Sequence, residues 1–227
     1  MRLADFIKAQ TDPPRMERKY FLEEYKGMYL EPFMTLAPAG LKEIFWKRKV
    51  NNIYFDDFNK TFFKDNLIGA QTRLKFRLRW YDDKLSKTNL ELKFKDANLV
   101  YKLVLPIKNF NLKRFEKGNW WQTNNLPEPV IRLAKRLKPS LINSYNRKYW
   151  LTNDKKVRLT IDTDVKFIPQ LSNLTTSLSN PRESQKTIIE LKYSPIDELA
   201  ASELIKYLPL SLQKNSKYVE GIGTGIF

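Results

Sequence analysis

Between Arg73 and Arg79 the chain reads RLKFRLR, a cation at every second position and an apolar residue at each position between. Side chains two apart on a strand share a face, so Arg73, Lys75, Arg77 and Arg79 line one side and Leu74, Phe76 and Leu78 the other. The segregation recurs. LELKFK sets Glu91, Lys93 and Lys95 against Leu90, Leu92 and Phe94, and VRLTID sets Arg158, Thr160 and Asp162 against Val157, Leu159 and Ile161. IIELKY opposes Glu190 and Lys192 to Ile189, Leu191 and Tyr193, and RMERKYF aligns Arg15, Glu17 and Lys19. A sheet with one charged and one apolar face has two solutions: the apolar face around a core with the cations in water, or a closed barrel with charges inside and helices over an apolar exterior. In the second, like charges about 4 Å apart repel by roughly 4 kcal/mol at an effective dielectric near 20, so the lumen must hold water and anions.

Composition narrows the chemistry. Lys and Arg number 41 against 25 Asp and Glu, a formal charge of +16, which implies a polyanionic partner. The chain has no His and no Cys, which removes thiolates, the usual catalytic triads and most zinc sites and leaves carboxylates as ligands for hard cations. No segment approaches the roughly 20 apolar residues of a membrane span, and MRLADFIKAQTDPP has no signal-type apolar core, so the expectation is a soluble cytoplasmic protein.

The pattern predicts a short helix in residues 1–10, an appendage over 1–14 ended by Pro13 and Pro14, then a strand from Arg15 and a helix at Leu41–Lys49. VNNIYFDD follows as strand and turn. Strands are expected at Gln71–Tyr81, Asn89–Lys95, Leu99–Leu105, Asn146–Leu151, Lys156–Phe167 and Lys186–Tyr193. Helical segments are expected within 111–138, ended by Pro139, and at Asp197–Leu208, with a polar loop at 171–183. Trp46, Tyr54, Phe55, Trp120 and Trp121 read as packing. The fold class is α+β, one domain over 1–227.

The ordered set Arg15-x-Glu17-x-Lys19-Tyr20, NNIYFDD, FRLRWY, LELK, YNRKYW, VRLTIDT, IIELK and the late SKY resembles the VTC domain. That is the polyphosphate polymerase branch of the CYTH, or triphosphate tunnel metalloenzyme, superfamily. The resemblance covers about Arg15 to Gly221. It implies a closed eight-stranded antiparallel tunnel barrel with helices outside, and transfer of the γ-phosphoryl group of ATP onto polyphosphate with Mn2+ or Mg2+. Carried over by motif, Arg77, Arg79, Lys93, Arg147, Arg158 and Lys19 are the catalytic cations. Lys75, Lys102, Tyr145, Ser216, Lys217 and Lys192 bind phosphate. Glu190 is the principal metal ligand, with Glu17, Glu91 and Asp162 as further candidates. Arg15 stands where the wider superfamily has the first Glu of Glu-x-Glu-x-Lys, which agrees with the polymerase branch.

Three functions are weighed: the polymerase, a metal-dependent triphosphatase or polyphosphatase, and a non-catalytic module for polyphosphate or inositol phosphates. The expected partners are ATP and inorganic polyphosphate, triphosphate or pyrophosphate, with room for a membrane protein partner. Nucleic acid is not expected, because Phe76 and Phe94 lie opposite the cations, unlike a base-stacking platform.

Overall fold

The computed structural model describes residues 2–11, 13–23, 30–108, 110, 115, 120–122, 124–169, 181–212 and 216–223. In chain order these form α1 (Leu3–Ala9), β1 (Met16–Glu23), α2 (Leu30–Leu36), β2 (Lys42–Asp56), α3 (Thr61–Ile68) and β3 (Thr72–Tyr81). There follow β4 (Asn89–Asp96), β5 (Leu99–Pro106), α4 (Glu128–Ala134), β6 (Lys138–Leu151) and β7 (Val157–Pro169). The chain ends with β8 (Arg182–Ser184), β9 (Lys186–Tyr193), α5 (Glu198–Lys206), β10 (Ser211–Leu212) and α6 (Lys217–Gly223). No helix among the described residues is long and apolar enough to cross a membrane.

One antiparallel sheet runs in the order β10-β1-β9-β7-β6-β2-β3-β4-β5, with β8 paired to β7 outside that path. The sheet curls until its two ends meet. Lys93 of β4 reaches Glu17 of β1, strands far apart in that order. The expected closed eight-stranded barrel is corrected on both counts. The path has nine strands, and its ladder does not close: an isolated bridge between Arg15 and Val100, with N–H···O distances of 3.2 and 3.1 Å, links β1 to β5. The register is the reason: continued from that bridge it sets Met16 against Leu99, where β5 begins, and on the other side of Arg15 it sets β5 against Pro14 and Pro13, which have no N–H to donate.

The apolar alternates face outward and are covered. Phe76, Leu78, Leu90 and Leu92 pack with Ile7 of α1, Val130 of α4, Phe115 and Trp120. Leu159, Ile161, Ile189 and Leu191 pack with Leu30 and Met34 of α2 and Ala201 and Leu204 of α5. A third cluster lies on the inner face, where Tyr218 and Ile222 of α6 meet Tyr54, Leu141, Tyr145 and Phe167. Gly221 makes that entry fit, since an added Cβ would stand 2.6 Å from both Leu141 Cδ2 and Phe167 Cδ1. The two aspartates of NNIYFDD are helix caps. Asp56 accepts from the Phe62 and Phe63 amides at 2.9 Å, Asp57 accepts from Thr61, and Asp56 also accepts the Tyr218 hydroxyl at 2.6 Å, which ties α3 to α6.

Several local expectations fail. The helix expected at Leu41–Lys49 is instead, from Lys42 on, the first half of β2, because β6 offers it a ladder from Lys42↔Leu151 onward. The same ladder extends β6 back through Pro139 to Lys138, where a helix end was expected. Part of the expected loop at 171–183 pairs as β8, and 171–180 lies outside the described residues, as does most of 111–119. Trp46 is 90% exposed and so is not packing, whereas Phe55 and Trp120 are buried against each other as expected.

Candidate functional site

Alternation along six strands delivers charge to the inner face: Lys75, Arg77 and Arg79 from β3, Glu91 and Lys93 from β4, Arg147 from β6, Asp162 from β7, Glu190 and Lys192 from β9, and Glu17 and Lys19 from β1. A register shift between Ser144 and Asn146 keeps the face continuous. At that point Asp164 takes a left-handed φ of 53°, and Val165 and Phe167 turn inward beyond Asp162. Aspartate tolerates that conformation better than most side chains.

The charges sort into three groups. Glu91, 4% exposed, accepts from Arg77 at 2.9 and 2.6 Å and from Lys102 at 2.6 Å, with Arg79 at 3.6 Å. Arg77 also donates to the Tyr54 hydroxyl, and Arg79 to Asn52 and the Tyr145 hydroxyl, at 2.7–2.8 Å. In the second group, fully buried Asp162 takes Arg147 at 2.5 and 2.7 Å and Lys217 at 2.5 Å. Glu190 differs: its neighbours Lys192, Arg147 and Lys19 stand at 3.1, 3.7 and 3.8 Å, and no hydrogen bond to its carboxylate is made among the described residues. The third group pairs Lys93 with Glu17 and Lys75 with the Ser216 hydroxyl, which also accepts from the Val219 amide at the start of α6.

Among the described residues cations outnumber carboxylates here by about two to one, and the electrostatics reflect it. Burial would raise the carboxyl of Glu91, but Arg79 and Arg77 hold it well below the usual range; Lys192 and Lys19 do the same for Glu190. Asp162, opposed by burial in the same way, is brought to about 2 by Arg147 and Lys217. Burial lowers Lys75 well below the ordinary lysine value, with Lys19 and Lys93 adding repulsion. Lys19 and Lys102 are each lowered to about 8, chiefly by burial. Burial pushes Tyr145 up, but Arg147 and Arg79 outweigh it and bring the hydroxyl down to about 8. An interior of this kind is short of negative charge.

A cleft of about 830 Å³ opens onto this interior, lined among others by Glu17, Lys19, Arg73, Lys75, Lys93 and Ser216. Of the residues singled out in the sequence, all but Arg158 join the three groups. Arg158 shares the face but is exposed on β7 beside Lys192, with no ion pair among the described residues. Tyr54, Asn52 and Asn143 were missed. Their polar atoms reach the inner face through parity on β2 and β6, a signal hidden by reading Tyr54 as packing. Asn143 accepts from Asn52 at 2.8 Å, and its own amide nitrogen is buried without an acceptor among the described residues.

The family model of the VTC domain matches residues 15–225. No curated protein sequence matches the chain. Similar solved structures include a Bacillus halodurans protein described as an adenylate cyclase, at 15% identity and a TM-score of 0.54 over 90% of this chain and 94% of that one. A Hippeastrum protein, described as an adenylyl cyclase with a dominant triphosphatase activity, aligns at 14% identity and a TM-score of 0.53 over 93% and 96%. The PH1819 protein of Pyrococcus horikoshii aligns at 12% identity and a TM-score of 0.51 over 92% and 97%.

Proposed function

The chain belongs to the VTC domain family, and from that membership we propose that it is a polyphosphate polymerase, moving the γ-phosphoryl group of ATP onto the end of a polyphosphate chain inside the curled sheet. The observation that carries the reading is an enclosed inner face on which buried cations exceed the carboxylates that pair with them. A triphosphate supplies the missing charge, and phosphate oxygens match both the Arg forks and the point charges of Lys.

In the reaction a terminal oxygen of polyphosphate attacks the γ-phosphorus, the bond from that phosphorus to the bridging oxygen breaks, and ADP leaves. The acceptor is itself the nucleophile, so the protein contributes in-line positioning and charge neutralisation and needs neither His nor Cys. Arg77, Arg79 and Arg147 grip the reacting phosphates, and the free Asn143 amide donates to one of their oxygens. Lys19, Lys75, Lys93, Lys102, Lys192 and Lys217 neutralise the chain, and Arg158 meets it at the edge. Tyr145 orients Arg79 through its hydroxyl.

A divalent cation fits this set in one way. No three carboxylates come together among the described residues, so a cage made by the protein alone does not fit. Glu190, buried and with no hydrogen bond to its carboxylate among the described residues, would offer one hard oxygen ligand to Mn2+ or Mg2+ brought with the triphosphate. That ion supplies charge neutralisation on the phosphate oxygens. Asp162 and Glu91 are committed to Arg and Lys and act by positioning them; Glu17 is held by Lys93.

A hydrolase, in which water is the acceptor, is the second reading, favoured by the triphosphatase activity of the Hippeastrum protein of similar fold. Purified protein with ATP and Mn2+ separates the two. Long polyphosphate on a gel supports the polymerase, free phosphate alone supports the hydrolase, and turnover undiminished in Arg77→Ala refutes both.

A further inference from the structure

β3 runs the length of the inner face, from Arg73 and Lys75 at the cleft through Arg77 and Arg79 to Tyr81. The two ends differ. None of the described residues lining the cleft is aromatic. At the far end Tyr81 lies one side-chain step, about 7 Å, beyond Arg79 on the same face. Tyr149 lies one such step beyond Arg147, whose guanidinium carbon is 6.0 Å from the Tyr149 ring and 5.2 Å from that of Tyr145. Phe45 is directly opposite Tyr149 in the β2–β6 register, and their rings meet edge to face at 5.6 Å.

An irregularity in β2 completes the group. The register shifts between Phe45 and Arg48, so that Arg48 pairs with Arg147 and two residues three apart both face inward. Bulges at barrel rims re-aim side chains in this way. The Arg48 guanidinium carbon is 4.5, 5.6 and 5.8 Å from the rings of Phe45, Tyr149 and Tyr81, and no carboxylate pairs with it among the described residues. Phe45 is 45% exposed. A planar cation laid on rings, open on one side and continuous with Arg147 and Arg79 on the other, suits a flat π-system attached to phosphates.

We propose that Phe45, Arg48, Tyr81 and Tyr149 form a seat for the nucleobase of a nucleoside triphosphate, and so select a nucleotide over inorganic triphosphate. The seat rests on the phosphate reading above and gives the site a direction. The base stacks at the aromatic rim, the triphosphate points inward along Arg147 and Arg79, and the growing chain passes toward the cleft at Arg73 and Lys75.

The test compares ATP with tripolyphosphate by calorimetry, on wild-type protein, Phe45→Ala and Phe45→Trp. Stacking of one base predicts that Phe45→Ala lowers the ratio of ATP to tripolyphosphate affinity by roughly 5- to 100-fold. Phe45→Trp restores the ratio, and Arg48→Gln lowers it in the same sense. A ratio unchanged in Phe45→Ala and Arg48→Gln, while both ligands still bind, overturns the base seat and leaves the phosphate site standing. Wild-type protein that binds neither ligand overturns both.

Discussion

Replacing Glu91 by Gln keeps the shape of the side chain and removes its charge, and so separates a counter-ion from a metal ligand. Glu91 is 4% exposed and holds Arg77 and Lys102 at 2.6 Å with Arg79 at 3.6 Å. Removing one partner from a buried ion group costs about 3–5 kcal/mol, because the remaining charges stay buried without compensation. In a chain of this size each kcal/mol moves Tm by roughly 2–4 °C, so unliganded Glu91→Gln melts about 6–20 °C below wild type. Tripolyphosphate brings negative charge to the same three cations. A ligand at a hundred times its Kd stabilises by about 2.7 kcal/mol, and the variant, with more unpaired cations, gains more than wild type. Thermal unfolding with and without tripolyphosphate, in the absence of metal, reads both effects. The Tm gap closes by at least half on adding the ligand. An equal gap in both conditions refutes the assignment of Glu91 as a counter-ion that phosphate supplements.

Four further outcomes follow from the same geometry. Between pH 7 and 9 Lys19 and Lys102 lose positive charge and Tyr145 gains negative charge, each crossing about 8, so tripolyphosphate affinity falls above pH 8 and Lys19→Arg removes part of the fall; calorimetry across that range checks it. The unliganded protein moves oppositely: between about 8 and the ordinary lysine value near 10.4 the folded state binds fewer protons than the unfolded, so these lysines make stability rise with pH in thermal melts. Gly221→Ala forces a methyl group against Leu141 and Phe167, costs about 1–3 kcal/mol in denaturant unfolding, and weakens tripolyphosphate binding by shifting Ser216 and Lys217. Glu190→Gln leaves metal-free tripolyphosphate binding intact or stronger but lowers the Mn2+ affinity of the complex at least tenfold; unchanged Mn2+ affinity removes Glu190 as the ligand.

The inner face was legible in the sequence because strand parity is rigid: once RLKFRLR is a strand, Lys75, Arg77 and Arg79 must share a side, and LELK and VRLTID follow the same rule. What parity cannot report is where the rule breaks. The irregularity after Phe45 and the left-handed Asp164 each re-aim side chains, and neither leaves a Gly or Pro to mark it. Leu41, Ile44 and Phe45 fall at helical spacing, which reads as helix until the partner strand β6 is known; tertiary pairing then overrides the local period. Barrel closure was equally hidden, since it turns on a register in which β5 begins opposite Met16 and meets Pro14 and Pro13 on the other side of Arg15. The partition of acids was hidden too. Glu91, Asp162 and Glu190 look alike along their strands, and only the geometry separates the two hydrogen-bonded to cations from the one whose cations stand at 3.1–3.8 Å with no hydrogen bond among the described residues.

A crystal structure grown with tripolyphosphate tests the account at its centre. Phosphate density within hydrogen-bonding distance of Arg77, Arg79 and Arg147 on the inner face is the predicted result. Tripolyphosphate found only on the outer surface, with those guanidinium groups still closed on Glu91 and Asp162, contradicts it.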